Sequence, residues 1–343
     1  MAYTDIDKPS DYFNTKLYTG TGSTQSITGV GFQPDWVWIK DRDAANWNCL
    51  MDAVRGASKV IYSNESDAEA TVSTLLTSFD SDGFSLGAAA DGNRNTANFA
   101  SWNWKAGGSA SSNSNGSITS SVSVNQDAGF SIVSFTGNAT AGATIGHGLN
   151  SVPSLILTKN RDSAYNWHLW THAFSSYNDT IQLNTTAAKD TGTLLNNTAP
   201  TSSLITLGNS AVLNASGEKI IAYVFAEKQG YSKFGSYTGN GNADGTFVYT
   251  GFKPAFILAK DADSSDNWII HDTTRNPSNP VGAYLRPNLS SAEGTFSHYD
   301  ILSNGFKNLY AGGSLNGSGK NIIYMAFAEN PFVTSTGVPA TAR

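Results

Sequence analysis

Apolar residues occur along the chain in short bursts divided by polar, glycine-rich turns. In "DWVWIK", Asp35, Val37 and Ile39 point to one side of an extended strand and Trp36, Trp38 and Lys40 to the other. "SLILTK" and "AFILAK" are shorter apolar runs with the same lysine ending. β-Branched and aromatic residues suit a pleated, half-buried surface. The turn phrases "SDG" at Ser81, "SNG" at Ser303, "GNG" at Gly239, "ASG" at Ala215 and "GSG" at Gly317 supply residues that accept positive φ, as hairpins require. Short strands at regular intervals with such turns predict a sandwich or barrel. Helical spacing is confined to "SDAEATVSTLLTSF" from Ser66, where Val72, Leu75, Leu76 and Phe79 share a face. A short helical turn or loop is expected there, with the first unit the most helical.

The pattern repeats. "GFQPDWVWIKDRDAANWNCLMD", "GLNSVPSLILTKNRDSAYNWHLWTH" and "GFKPAFILAKDADSSDNWIIHD" align on Pro34, Pro153 and Pro254. The same register places Lys40, Lys159 and Lys260 together, then Asp43, Asp162 and Asp263, then Trp47, Trp167 and Trp268. Each copy is preceded by a glycine phrase at Tyr18, Phe135 or Tyr237, and followed by an asparagine turn near Ser63, Leu183 or Pro287. Each unit closes on an aromatic run: "NFASWNWKA", "KIIAYVFAE" or "NIIYMAFAE". The spacing is that of a small domain of roughly 100 residues, longer than a propeller blade or solenoid repeat.

The predicted fold is therefore all-β: three tandem related β-sandwich (jelly-roll-like) units in close contact, with little helix. An N-terminal arm and the first unit occupy 1–107. A Gly/Ser/Asn-rich connector follows at 108–129, read as a linker ending in an extra strand. The second unit spans 130–230, the third 231–330, and a tail 331–343.

Composition narrows the function. Charged residues make up 14% of the chain against a usual ~25%, so its surface is built from Ser, Thr, Asn and Gly. A net charge of −6 without any basic run excludes a nucleic-acid partner. No apolar stretch approaches membrane-helix length. "MAYTDIDKPSDYFNTK" lacks the charged-then-apolar pattern of a signal sequence, so synthesis in a cytoplasm is expected. Cys49 is a lone cysteine in an apolar context, which fits a small buried hydrophobe better than a nucleophile.

Candidate chemistry reduces mostly to framework. A triplicated Lys-x-x-Asp suits a strand end and turn better than an acid–base pair, because catalytic centres are seldom copied with a fold. There the lysine would cap the strand's solvent end and the aspartate begin the turn. The repeat-core residues are expected to be Pro34, Trp47, Pro153, Trp167, Pro254 and Trp268. Each tryptophan there can bury ~150–250 Å². Aromatics that belong to single units are the better ligand or partner contacts: Trp102, Trp104, Tyr165 and Trp170. His168 and His172 lie four apart in a strand, ~13 Å from one another and beyond one metal's reach. Acidic runs at Asp41, Asp80 and Asp261 are fragments of calcium loops without the full pattern. No metal, cofactor or catalytic residue is assigned.

Long phrases, among them "MAYTDIDKPSDYFNTKLYTGTG", "QPDWVWIKDRD", "FDSDGFSLG", "GYSKFGSYTGNGNADGTFVYTGFKPAF" and "YMAFAENPFVTSTGVPATAR", resemble a family of uncharacterised repeat-containing proteins of marine tailed bacteriophages, cyanophages among them. The resemblance covers nearly the whole chain. It implies a non-enzymatic virion surface protein, made in the host cytoplasm, of the tail-fibre or head-fibre type. Such a protein binds other virion proteins and a host cell-surface glycan or receptor. A capsid decoration (cement) protein is the alternative, with the terminal arms as docking straps. A glycan-degrading tail spike is the third reading. A homotrimer fits such fibres, and three copies in one chain could mimic a trimer internally.

Overall fold

A computed structural model describes residues 4–339. It is an all-β molecule, 44% strand and 4% helix, built from the three predicted units. Each unit has the same main sheet. An opening strand (Phe13–Thr19, Phe130–Thr136, Ser232–Thr238) runs antiparallel to a closing strand (Asn98–Trp104, Lys219–Phe225, Asn321–Pro331). The closing strand's other edge carries the framework strand (Trp36–Asp41, Leu155–Asn160, Phe252–Asp261). Thus Trp102 pairs with Thr15 and Trp38, Tyr223 with Ile132 and Leu157, and Met325 with Phe234 and Leu258.

A smaller sheet covers one face. In the first unit it is Gln25–Thr28, Leu76–Asp80 and Gly83–Leu86, and Phe84 and Leu86 pack on Val37, Ile39 and Phe99. Its hairpins need glycine. A Cβ on Gly83 would lie 1.9 Å from the Ile27 carbonyl oxygen, and one on Gly305 2.0 Å from that of Val248. Each unit then makes one helical turn (Ala90–Asn93, Ala211–Asn214, Gly313–Asn316) that ends in a buried asparagine. These asparagines accept from the backbone N–H of Thr21, Asn138 and Asn240, and donate to the carbonyls of Gly87, Gly208 and Tyr310. One side chain thereby ties the turn after the opening strand to the turn before the closing strand.

Two local expectations change. The segment from Ser66 to Phe79 is not helical. It holds the strand Ala70–Thr71 and then Leu76–Asp80, which pairs with Gly83–Leu86. β-Branched Thr71, Val72 and Thr74 disfavour a helix, and sheet pairing outweighs the apolar spacing. The connector contains a hairpin, Ser111–Asn113 and Ser120–Asn125, that extends the second unit's sheet beyond Phe130–Thr136.

The units close into a ring through one repeated junction. The N–H of Glu69 in the first unit donates to the Arg161 carbonyl of the second at 2.8 Å. Glu293 of the third unit donates likewise to Arg42 of the first at 2.8 Å, and Lys189 of the second to Ala262 of the third at 2.7 Å. Side chains reinforce two junctions: Arg161 grips Glu69 with two 2.9 Å bonds, and Arg42 grips Glu293 at 2.9 and 2.7 Å. Deeper in, Asp52 accepts from Tyr223 Oη at 2.7 Å while bound to Arg55, and Asp272 accepts from Trp102 Nε1 at 3.0 Å while bound to Arg275. At the third junction His172 meets the Phe234 carbonyl at 2.6 Å instead.

Rings from all three units meet at the centre. Trp36 lies 4.3 Å from Trp104 and 4.4 Å from Tyr223, Trp104 lies 5.7 Å from Phe256, and Phe225 lies 5.8 Å from Phe327. All are buried in one shared core. The first strand's alternation is confirmed with a difference: Val37 and Ile39 face their own sandwich, while Trp36 and Trp38 face the other units.

This arrangement makes folding collective. The whole chain is expected to melt in a single calorimetric transition. Residues 130–230 expressed alone are expected to show none, since Tyr223 and Phe225 would lose their neighbours. A cooperative melt of that isolated segment would overturn the shared-core description. Asp52→Ala takes the nearer carboxylate from the buried Arg55 guanidinium, leaving it Glu69 at 3.3 Å, and is expected to cost about 3–5 kcal/mol in denaturant unfolding.

Candidate functional site

The repeated motif residues prove to be scaffold. Lys40, Lys159 and Lys260 are fully buried rather than capping a solvent end. Each ammonium donates to backbone carbonyls: Lys40 to Asn46 at 2.6 Å and Ser290 at 2.7 Å, Lys159 to Asn160 at 2.6 Å, and Lys260 to Asp261 at 2.6 Å. The lysine lies on the face covered by a neighbouring unit, so the ring excludes water from it. The aspartates Asp43, Asp162 and Asp263 accept the first N–H of the closing strands, from Asn98, Lys219 and Asn321. Pro34, Pro153 and Pro254 are all buried at the entry to their framework strands.

The tryptophan register needs one correction. Trp167 and Trp268 are buried and bridge units, donating from Nε1 to the carbonyls of Tyr62 and Gln182 at 2.9 and 2.8 Å. Their backbone N–H groups bond to Asn184 and Asn288. In the first unit the residue with that bond, to Asn64, is Asn48, and its Nδ2 reaches the Leu289 carbonyl at 2.8 Å. Trp47 stands one position early, 43% exposed and packed on Tyr62, so it is no core anchor.

The single-unit aromatics proposed as contacts are also mostly interior. Trp102 and Trp104 are fully buried in the shared core, because the other units cover their sheet face. Trp170 is buried against the outer ring of Tyr177. Tyr165 is half-buried in a loop. His168 and His172 are not joined: the first faces Thr180 and the second Phe234. Asp41 spends its carboxylate on the N–H groups of Asp43 and Ala44 and on Arg94. Among the described residues no three His, Cys, Asp or Glu side chains converge as metal ligands.

The principle behind that choice nevertheless finds a site, in the third unit. Here the strand Gly294–Leu302 runs far longer than Ala70–Thr71 or Asp190–Thr191. It brings Phe296 and His298 beside Tyr284, Arg286 and Tyr310 around an open cleft of about 190 Å³. Phe296 is 45% exposed and lies 4.9 Å from the His298 ring and 4.7 Å from Tyr310. Arg286 lies over the Tyr284 ring at 4.9 Å. Tyr310 occupies the place of Gly87 and Gly208, as the matching asparagine bonds show. A Cβ on those glycines would come within 2.6 Å of the Thr74 oxygen and 1.6 Å of the Thr193 oxygen. The first two units therefore exclude a side chain where the third displays a tyrosine. Comparing "LGAAADGN", "LGNSAVLN" and "NLYAGGSLN" was the signal in the sequence.

Behind the cleft, His298 Nδ1 lies 3.0 Å from His271 Nε2, and His271 Nδ1 lies 2.9 Å from the Ala283 carbonyl. Burial holds both imidazoles neutral: His271 well below its ordinary range, His298 at about 4. Another cavity, of about 280 Å³ beneath Phe332, is lined by groups already engaged. Its Glu227 takes the Phe234 N–H, Lys233 and His172.

A family model described as a domain of unknown function (DUF7483) matches residues 8–331. No curated protein and no solved structure matches the chain.

The buried lysines give a pH signature. Burial draws all three down to about 8. Between about pH 8 and 10.4 the unfolded chain then holds more lysine protons than the folded one, so stability rises with pH. Buried Tyr18, Tyr223, Tyr231 and Tyr299 have hydroxyls raised well above their ordinary range and reverse the trend above about pH 10. Melting temperature is expected to climb from pH 8 to 9.5, less steeply in Lys159→Met. A flat or falling wild-type curve would refute the assignment.

Proposed function

We propose that this chain, which belongs to the DUF7483 family, is a non-enzymatic virion surface protein that attaches to a host surface through its third unit. The carrying observation is the aromatic cleft. Framework positions recur in all three units, whereas Tyr284, Phe296, His298 and Tyr310 form an open cleft in one. A fold that needs glycine at this point twice and presents tyrosine the third time has been adapted there for contact. Exposed aromatics such as Phe296 and Tyr249 contribute large, rigid contact area at small entropic cost.

The phage setting rests on the resemblance of the long sequence phrases. The uncharged polar surface and the self-contained ring are compatible with it. A single chain here makes the closed threefold arrangement that fibre proteins make from three chains. The decoration reading asks the terminal arms to act as straps onto capsid subunits. Thr4 and Asp5 instead bond to the Gln229 carbonyl at 2.7 and 3.0 Å, and Asp7 accepts from the Ser335 N–H at 2.6 Å. Arms spent on their own ring favour the attachment reading. The last four residues of the strap segment lie outside the described structure.

The purified protein is expected to adsorb to susceptible host cells and to compete with phage adsorption. Phe296→Ala, a surface change expected to leave stability within about 0.5 kcal/mol, should reduce cell binding at least tenfold. Absence of cell binding by the wild type, or unaltered binding by the variant, would reject the reading.

A further inference from the structure

The hydrogen-bond chain behind the cleft fixes what the cleft offers a ligand. A carbonyl oxygen only accepts, so the contact between Ala283 O and His271 Nδ1 places the His271 proton on Nδ1. His271 is neutral, so its Nε2 is an acceptor. His298 Nδ1 must then be the donor across the 3.0 Å contact. His298 is neutral as well, which leaves its Nε2 as a bare lone pair. His298 is only 6% exposed, lines the cleft, and its Nε2 has no partner among the described residues. A buried backbone carbonyl thus dictates, through two imidazoles, an acceptor at the cleft.

The opposite need comes from Arg286. Its guanidinium meets only the Tyr284 side chain, donating to the hydroxyl at 3.2 Å, and no carboxylate among the described residues pairs with it. Its Nε is buried without a partner. The remaining lining is Ile269, Thr295, Phe296, Tyr310 and Ser314, which are aliphatic, aromatic or hydroxyl-bearing, with no acidic side chain. A cation without a counter-ion, an acceptor without a donor and exposed ring faces call for one kind of molecule. It must carry an anionic group, a hydroxyl and an apolar C–H face. At about 190 Å³ the cleft lies below the usual 300–1,000 Å³ of small-molecule sites and suits one ring at a time.

We propose that the cleft binds an acidic pyranose of the uronic-acid type. Its C–H face lies on Phe296 and Tyr310, one hydroxyl donates to His298 Nε2, and its carboxylate faces the Arg286 guanidinium. This rests on the attachment reading and names the chemistry that the host surface would present.

The test is a titration of the full chain, followed by chemical-shift or saturation-transfer NMR, with methyl uronides and their parent neutral glycosides in the gluco, galacto and manno series. At least one uronide is expected to bind about tenfold or more tighter than its neutral parent, the scale of a charge-assisted bond. Arg286→Gln should erase that difference, and Phe296→Ala should weaken both sugars. Unchanged melting temperatures certify both variants as folded. Equal binding of acidic and neutral sugars overturns the assignment. So does a preference that survives Arg286→Gln, or no sugar binding at all. If sugars fail while Phe296→Ala still abolishes cell adsorption, only the ligand class falls. If the wild type does not bind cells, the attachment reading falls by itself.

Discussion

The structure depends on a sheet with two apolar faces. In each unit the framework and closing strands bury one face in their own sandwich and the other against the remaining units. A unit alone would expose the second face, which in the first carries Trp36, Trp38, Trp102 and Trp104. At ~150–250 Å² per aromatic side chain, each such exposure would cost roughly 4–6 kcal/mol. Three units in a ring remove that surface from water together. The intimate junctions between units follow from it.

The ring also explains how polar groups come to be buried. At each junction an N–H of one unit meets a carbonyl of the next, and the side chains around it vary. Arg161 with Glu69 and Arg42 with Glu293 are ion pairs, whereas Lys189 turns to Asp179 because Ala262 offers nothing. Likewise Trp167 and Trp268 bridge neighbours with an indole N–H, and Asn48 performs the same donation with an amide. Backbone geometry is copied and side chains drift within it. The cleft is a larger drift of this kind. A longer strand in the third unit and a glycine replaced by Tyr310 turn a packed edge into an open aromatic site.

Much of this was legible in the chain. Period-two alternation, turn glycines and the threefold repetition specify strands and their repeated units, because these are local consequences of backbone sterics and burial. Lys-x-x-Asp and the repeated tryptophans were identifiable as framework because repetition marks scaffold. The error at Trp47 came from matching residue type where the backbone matched Asn48. Of the helical turn or loop expected near Ser66, the loop is what forms, because spacing alone cannot register the pairing of Leu76–Asp80 with Gly83–Leu86.

By itself, then, the sequence determined an all-β, three-unit protein and marked unmatched aromatics as candidates for contact. Only the tertiary structure decided which aromatics reach the surface. Trp102, Trp104 and Trp170 read as single-unit surface candidates, yet all three are buried, the first two by residues far away in the chain. Phe296, His298, Tyr284 and Tyr310 are dispersed in sequence and converge only when the third unit's small sheet forms. Alternation along a strand says which residues share a face. It does not say whether water or another unit lies against that face, since that is settled by contacts between segments that local sequence does not encode.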